Sequence, residues 1–533
     1  MKAMHTFSCF VLTLCSSWIL ATASGAQCEL ETQELEPMDG RAGDGFGGRV
    51  ARAGNVAIVA SYIADDLGLD SGSATVWERE PGSIWKLSKK LLASDGAAGD
   101  YFGAALAVDG ASVLVGAPYH DHPATDCGAV YVFARDRGGR GRWGRVAHFT
   151  PPSAGAGAQF GYSLAVRGDR LLIGAPHRGL GVPGKAYLFR RDAGGTGGWA
   201  LERELTSADP SSGFQFGQDV TLGEHLLAVS GALQDFLQYN DVVHVYAEDA
   251  GGAGNWGEVQ RIFSPSGASK IDLDGDRLIS VAPTVWIPGT NRFGALYLFR
   301  RDLGGPEGWG LERRIESATP GGIFAPDEVD LRGEWIVSGN GRSVTVFGRN
   351  VGGPGAWGQV TRIHDDDPSP EVQFGIDVQL EGSELFVGAA GQYSSTLSGS
   401  VYVYDLERLA RASWRNDAAR SNPDVYRVTG RPILGEAFRA EVDFRGTSHD
   451  RAVLVAFARP VEALLPGGQV LLGGRPFASA VATRGPAGRA RFSFDLPPDP
   501  ALCGRVFTTQ AALVGGAEPF ILSNAQDLVL GAP

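Results

Sequence analysis

Phe102-Gly-Ala-Ala-Leu-Ala-Val-Asp-Gly-Ala-Ser-Val-Leu-Val-Gly-Ala-Pro118 holds two short apolar runs, Ala104 to Val108 and Val113 to Gly116, parted by Asp109-Gly110. Asp-Gly between alternating apolar residues predicts a tight β-hairpin, because both turn positions tolerate positive φ. The phrase returns as Phe160-Gly161 through Gly174-Ala-Pro176. Working outward, Phe-Gly recurs at Phe46-Gly47, Phe216-Gly217 and Phe374-Gly375. Two further copies, Ile271-Asp-Leu273 before Gly275 and Val329-Asp-Leu331 before Gly333, have lost the Phe-Gly pair. The period, roughly 50 to 58 residues, is that of propeller blades.

Each copy reads as four strands. After the hairpin comes a loop, then a β-branched and aromatic strand such as Val130-Tyr-Val-Phe133, Ala186-Tyr-Leu-Phe189 or Val401-Tyr-Val-Tyr404, the composition of a central strand. A turn of fixed length follows in five copies, with Trp seven residues after Asp or Asn: Asp136 and Trp143, Asp192 and Trp199, Asp249 and Trp256, Asp302 and Trp309, Asn350 and Trp357. Paired glycines between them supply turn dihedrals that other residues resist. The constant place of the Trp in the repeat predicts packing between neighbouring blades rather than a sugar-stacking row. The seventh copy ends at Asp405 with no Trp strand after it. Leu30 to Asp44 supplies what is missing: Leu35 answers Leu91, Asp39-Gly40 answers Asp95-Gly96, and Gly43-Asp44 answers Gly99-Asp100. The N-terminal segment is therefore expected to complete the last blade and remove its free edge.

With Phe-Gly leading to Gly-Ala-Pro, the sequence resembles the FG-GAP repeat family, found in integrin α-chain heads and in secreted bacterial proteins. The resemblance covers residues 28 to about 405. It implies a seven-bladed β-propeller, often with Ca²⁺ in blade loops, and a role in adhesion or ligand binding. The D-x-D-x-D-G loop that holds Ca²⁺ in integrin blades is missing from every copy.

The wider composition fits this reading. Gly makes up 76 of 533 residues, about twice the usual ~7%, which excludes a helical bundle. A net charge of -13 argues against nucleic acid and anionic membranes as partners. Residues 1–26 read as a secretory signal peptide, whose apolar run from Phe7 to Leu20 is shorter than the ~20 residues of a membrane span. The remaining chain divides into a propeller at 27–410, a linker at 411–430 and a C-terminal β-sandwich at 431–533. The sandwich rests on alternating strands such as Glu436 to Phe444 and Arg489 to Leu496.

No catalytic signature is present. Gly43-Asp-Gly45-Phe-Gly47-Gly48 fits G-x-G-x-x-G but precedes a strand, and Arg167-Gly168-Asp169 occupies a hairpin turn. The candidate metal ligands are Asp65, Asp66 and Asp70 in one loop between second and third strands. In the next copy they recur in outline as His120, Asp121, His122 and Asp126. Carboxylates at this spacing suit Ca²⁺, and His with Asp suits a transition ion. Asp365-Asp366-Asp367 reads as a solvated turn. Cys28 and Cys127 could pair but belong to different blades, and Cys503, beside an apolar strand, reads as a small core residue. The expected protein is a secreted or cell-surface monomer whose propeller loops bind a protein or glycan without catalysis. The alternative is an extracellular polysaccharide hydrolase or lyase using carboxylates on the propeller face.

Overall fold

The computed structural model describes residues 30–531 apart from stretches of the connections, of which the longer are 192–197, 209–213, 233–239, 317–325, 365–370, 416–425, 458–462, 471–477 and 516–520. The Asp365 to Asp367 turn, the signal segment and Cys28 lie outside the described residues. Among the described residues the fold is all-β with two 3-10 turns, and no helix among them is long and apolar enough to cross a membrane.

Up to Asp405, the strands form seven four-stranded antiparallel sheets built like propeller blades. They span residues 46–91, 105–149, 163–205, 220–265, 271–315, 328–364 and 373–405, one for each sequence repeat. The seventh takes its fourth strand from the other end of the chain: Glu31–Leu35 pairs antiparallel with Gly399–Asp405, Leu35 opposite Val401. Each sheet's first strand lies against the first strand of the next, and that of the seventh lies against that of the first, so the cycle closes.

Side chains alternate along the inner strands, and the apolar set is buried in the seams between consecutive sheets. Ile58 and Val76 of the first sheet share one cluster with Val115 and Tyr131 of the second. The closing seam joins Leu35, Phe386 and Val401 to Phe46, Val59 and Trp77. Trp143, Trp256, Trp309 and Trp357 are all buried in such seams, and the half-buried Trp199 packs against another. The turn before each Trp needs its Asp or Asn for two reasons. Asp136, Asp249, Asp302 and Asn350 adopt φ of 60 to 69°, a left-handed conformation that Asn and Asp tolerate best after Gly. Asp249 Oδ1 and Asn350 Oδ1 also accept the N–H five residues on, at 2.6 and 2.8 Å.

The Phe-Gly and Gly-Ala-Pro elements meet across the seams. A Cβ on Gly116, Gly174, Gly339 or Gly388 would fall 2.0 to 2.1 Å from the carbonyl oxygen of the Phe-Gly glycine in the following sheet: Gly161, Gly217, Gly375 and, round the closure, Gly47. Glycine is required there by backbone approach, and the preceding Phe is fully or almost fully buried in all five copies.

Beyond the ring, a five-stranded sheet (order Arg411–Arg415, Ile521–Val529, Val506–Val514, Arg451–Phe457, Ala478–Thr483) faces a three-stranded one (Tyr426–Val428, Ala437–Asp443, Arg489–Asp495). Tyr426, Phe438 and Phe492 of the second share a core with Leu454, Leu513 and Leu528 of the first. The segment expected as a linker at 411–430 therefore carries two strands. Arg411–Arg415 pairs with Ala525–Val529; its polar composition hides a backbone whose hydrogen bonds are made by that partner. The cysteines also differ from expectation. Cys127 is a free, fully buried thiol, so it makes no bridge to Cys28. Cys503 is no core residue: it is half-buried and disulfide-bonded, with its partner outside the described residues.

Candidate functional site: the central channel

The seven first strands surround a cavity of about 870 Å³. The second residue after each Phe-Gly, or its equivalent, points into it: Arg49, Ala105, Ser163, Asp219, Lys270, Glu328 and Asp377. Two residues on, as strand alternation requires, comes a second ring of Ala51, Ala107, Ala165, Thr221, Asp272, Asp330 and Gln379. The wall is lopsided, with small side chains from the second and third sheets facing charged ones from the fourth to seventh.

The carboxylates on that wall stitch neighbouring sheets. Asp219, Asp272, Asp330 and Asp377 each accept a backbone N–H from the first strand of the next sheet, those of Ile271, Leu331, Leu380 and Val50, at 2.7 to 2.8 Å. Cations complete the network. Lys270 Nζ lies 2.9 Å from Glu328 Oε1, and Arg332 Nη1 lies 2.6 Å from Asp272 Oδ2 and 3.2 Å from Asp330 Oδ1. Burial pushes Asp219 up to about 6. Asp377 is pushed up to about 7 by burial and by Glu328, against the pull of Arg49 and Lys270. Burial lowers Lys270, but Glu328 and Asp219 more than offset it and hold the ammonium charged.

The sign of the resulting pH dependence follows. In the unfolded chain these carboxyls titrate near ~4. Between pH ~4 and 7 the folded state keeps protons that the unfolded chain has released, so the stability these groups contribute falls as pH rises through that window and levels off above it. Asp377→Asn, which keeps an acceptor for Val50, is expected to flatten this fall. Urea unfolding at pH 5 and pH 8 should show a smaller loss of stability in the variant than in the unmutated protein; equal losses would mean that Asp377 is ionised throughout.

At the end of the channel where first strands begin, Tyr62, Tyr101, Tyr119 and Tyr162 line the cavity, all half-buried. Tyr101 lies 6.4 Å from Tyr62 and 5.2 Å from Tyr119 between ring centroids, and the Arg49 guanidinium lies 5.9 Å from the Tyr62 ring. Tyr62 donates to Gln392. The arc therefore presents partly exposed aromatic faces beside a fixed cation.

The sequence-predicted acids lie elsewhere on that face, in the loops between second and third strands of the first two sheets. The two loops have one shape. Asp65 Oδ1 accepts the N–H of Asp70 at 2.9 Å and Asp121 Oδ1 that of Asp126 at 3.0 Å, and Asp70 and Asp126 both have positive φ, 54 and 50°. Asp66 is paired with Lys90 at 2.9 Å. Among the described residues, the acids of the two loops do not come together in one ligand group; the group that does form is Asp95, His120 and His148. The channel ring went unnoticed in the sequence because no motif marks it. The signal that finds it is positional: the second residue after Phe-Gly, read down all copies.

The FG-GAP repeat signature matches residues 30–77, 85–133, 143–189 and 357–404. Each match runs from the fourth strand of one sheet through the third strand of the next, so a sequence unit straddles a seam. These four stretches carry FG-GAP repeats. No curated protein matches it in sequence. Among solved structures it is similar to Sqt1 from Chaetomium thermophilum (11% identity, TM-score 0.40, covering 68% of this chain and 97% of that one). It is also similar to the polysaccharide lyase Uly1 (9%, 0.39, 72% and 94%) and to AztD of Citrobacter koseri (12%, 0.32, 77% and 95%).

Proposed function

We propose that this chain is a secreted or cell-surface binding protein, a monomeric seven-bladed propeller carrying a β-sandwich, that takes a glycan or protein ligand at the tyrosine-lined mouth of its channel without catalysis. The arc of Tyr62, Tyr101, Tyr119 and Tyr162 around Arg49 carries the reading. Partly exposed aromatic faces offer apolar area with little ordering cost, and a fixed guanidinium adds an anchor for anionic groups. The channel carboxylates are committed to backbone N–H groups and cations, which suits a scaffold better than a reaction centre. The test is glycan and protein arrays probed with the mature protein and with the Tyr62→Ala/Tyr119→Ala double variant. A hit that weakens at least tenfold in the variant, with an unchanged melt, is expected; no hit on either array overturns the reading.

One observation favours the second reading, a polysaccharide hydrolase or lyase. Asp377, which lines the channel, has a pKa near that of a general acid or base working at neutral pH. Release of reducing ends or unsaturated products from a polysaccharide panel, lost in Asp377→Asn, would establish it.

A further inference from the structure

Outside the channel, on the same face of the ring, one ring nitrogen each of His120 and His148 and a carboxylate oxygen of Asp95 lie within 4.8 Å of one another. They come from three elements: Asp95 from the connection between the first and second sheets, His120 from the loop after Ser112–Ala117, and His148 from the outer strand Gly144–Phe149. We propose that Asp95, His120 and His148 bind one divalent first-row transition ion, with Zn²⁺ as the reference ligand. The site stands independently of the ligand proposed for the channel mouth.

Three observations carry it. The first is orientation. His120 is buried and its Nδ1 lies 3.0 Å from Asp100 Oδ2, which leaves Nε2 as its ligand atom and supplies the carboxylate partner that metal-bound histidines characteristically have. The second is unmet polarity. His148 Nε2 is buried with no hydrogen-bond partner. The fully buried Tyr131 hydroxyl faces Asp95. Tyr131 pairs with His148 across the strands and stacks on it at 4.6 Å. A buried ring nitrogen is costly to leave unpaired, and coordination of an ion through His148 Nε2 would satisfy it.

The third is internal comparison. In the first sheet, Thr75 pairs with Lys90 where Tyr131 pairs with His148 in the second, and Asp39 stands where Asp95 stands. There a protein cation fills the place: Lys90 Nζ lies 2.9 Å from both Asp39 and Asp66. In the second sheet the lysine is replaced by histidine and Ala64 by His120, so the position loses its lysine and gains two imidazoles. The nearest competing cation, Arg145, is 3.4 Å from Asp95 Oδ1 in a largely exposed pair, the kind worth little. Imidazole and carboxylate donors suit Zn²⁺, Ni²⁺, Cu²⁺ or Co²⁺ rather than Mg²⁺ or Ca²⁺, and three protein ligands leave a position for water.

The experiment uses the untagged mature protein after chelator treatment, titrated with Co²⁺ by visible absorption and with Zn²⁺ by calorimetry. Saturable uptake of one ion is expected, with a Co²⁺ d–d spectrum and a melting temperature raised by Zn²⁺ but not by Ca²⁺. His120→Ala should weaken binding at least 100-fold, and Asp100→Asn, which keeps an acceptor for His120 but removes the carboxylate charge behind it, about tenfold. His148→Lys is the deciding variant. It sets a lysine beside Asp95 as Lys90 stands beside Asp39 in the first sheet, so it should fold and melt normally yet take up no Co²⁺ and ignore Zn²⁺. No saturable uptake by the unmutated protein, or uptake undiminished in His148→Lys, overturns the proposal.

Discussion

Deletion of Glu31–Leu35 is expected to lower the melting temperature by about 10 °C or more and to make the protein self-associate. The deletion removes the whole pairing with Gly399–Asp405 and takes the fully buried Leu35 out of the closing seam. Loss of a buried leucine alone costs about 2 to 5 kcal/mol. The bared strand Gly399–Asp405 also becomes an edge that another chain can pair with. Glu34→Ala, an exposed side chain on the same strand, should leave the melt unchanged. Calorimetry with size-exclusion chromatography checks both; a monomeric deletion variant with an unshifted melt would mean that the ring does not depend on this strand.

Gly388→Ala should be among the most damaging single-methyl changes in the ring, costing about 3 kcal/mol or more. The added Cβ would fall 2.0 Å from the Gly47 carbonyl oxygen, across the seam between last and first sheets. Neither side can yield without moving backbone. Gly54→Ala is the contrast: nothing lies within 4 Å of its Cβ position, and only its φ of 59° is unfavourable, a cost of roughly 1 to 2 kcal/mol. Chemical denaturation should rank the two well apart. Equal losses would show that the seam can open to admit a methyl group.

The comparison of these two glycines shows why the ring was legible in the sequence. Contacts made once per blade leave a periodic trace, and Phe160, Gly161 and Gly174 announce themselves by recurring. The closing strand was found in the same way, since Leu35 stands in register with Leu91. Features made once leave no such trace. Asp377 and Lys270 are different residue types at one repeat position, so a search for identity passes over them. Asp95, His120 and His148 lie 25 and 28 residues apart in succession, beyond any spacing motif, and only the folding of the second sheet gathers them; His120 drew attention for its loop, not for these partners. Arg411–Arg415 was hidden because a short strand flanked by arginines has the composition of a tether.

The pairing of Glu31–Leu35 with Gly399–Asp405 also sets an order of events. Thr32 donates to the carbonyl of Val403, 371 residues away. At ~5 to 20 residues per second, synthesis brings that partner into being roughly 20 to 75 s after the strand itself. For that interval the first-made strand has no neighbour, and its sequence suits the wait: Glu31, Thr32 and Glu34 are polar and stay exposed even in the finished ring. Leu35 alone is held for the seam. Phe46 and Val59, whose seam is covered by Phe386 and Val401, wait as long. A chain halted before Gln373 therefore carries six sheets and an uncovered apolar face on the first, and quality control during synthesis would meet that face before any ligand does.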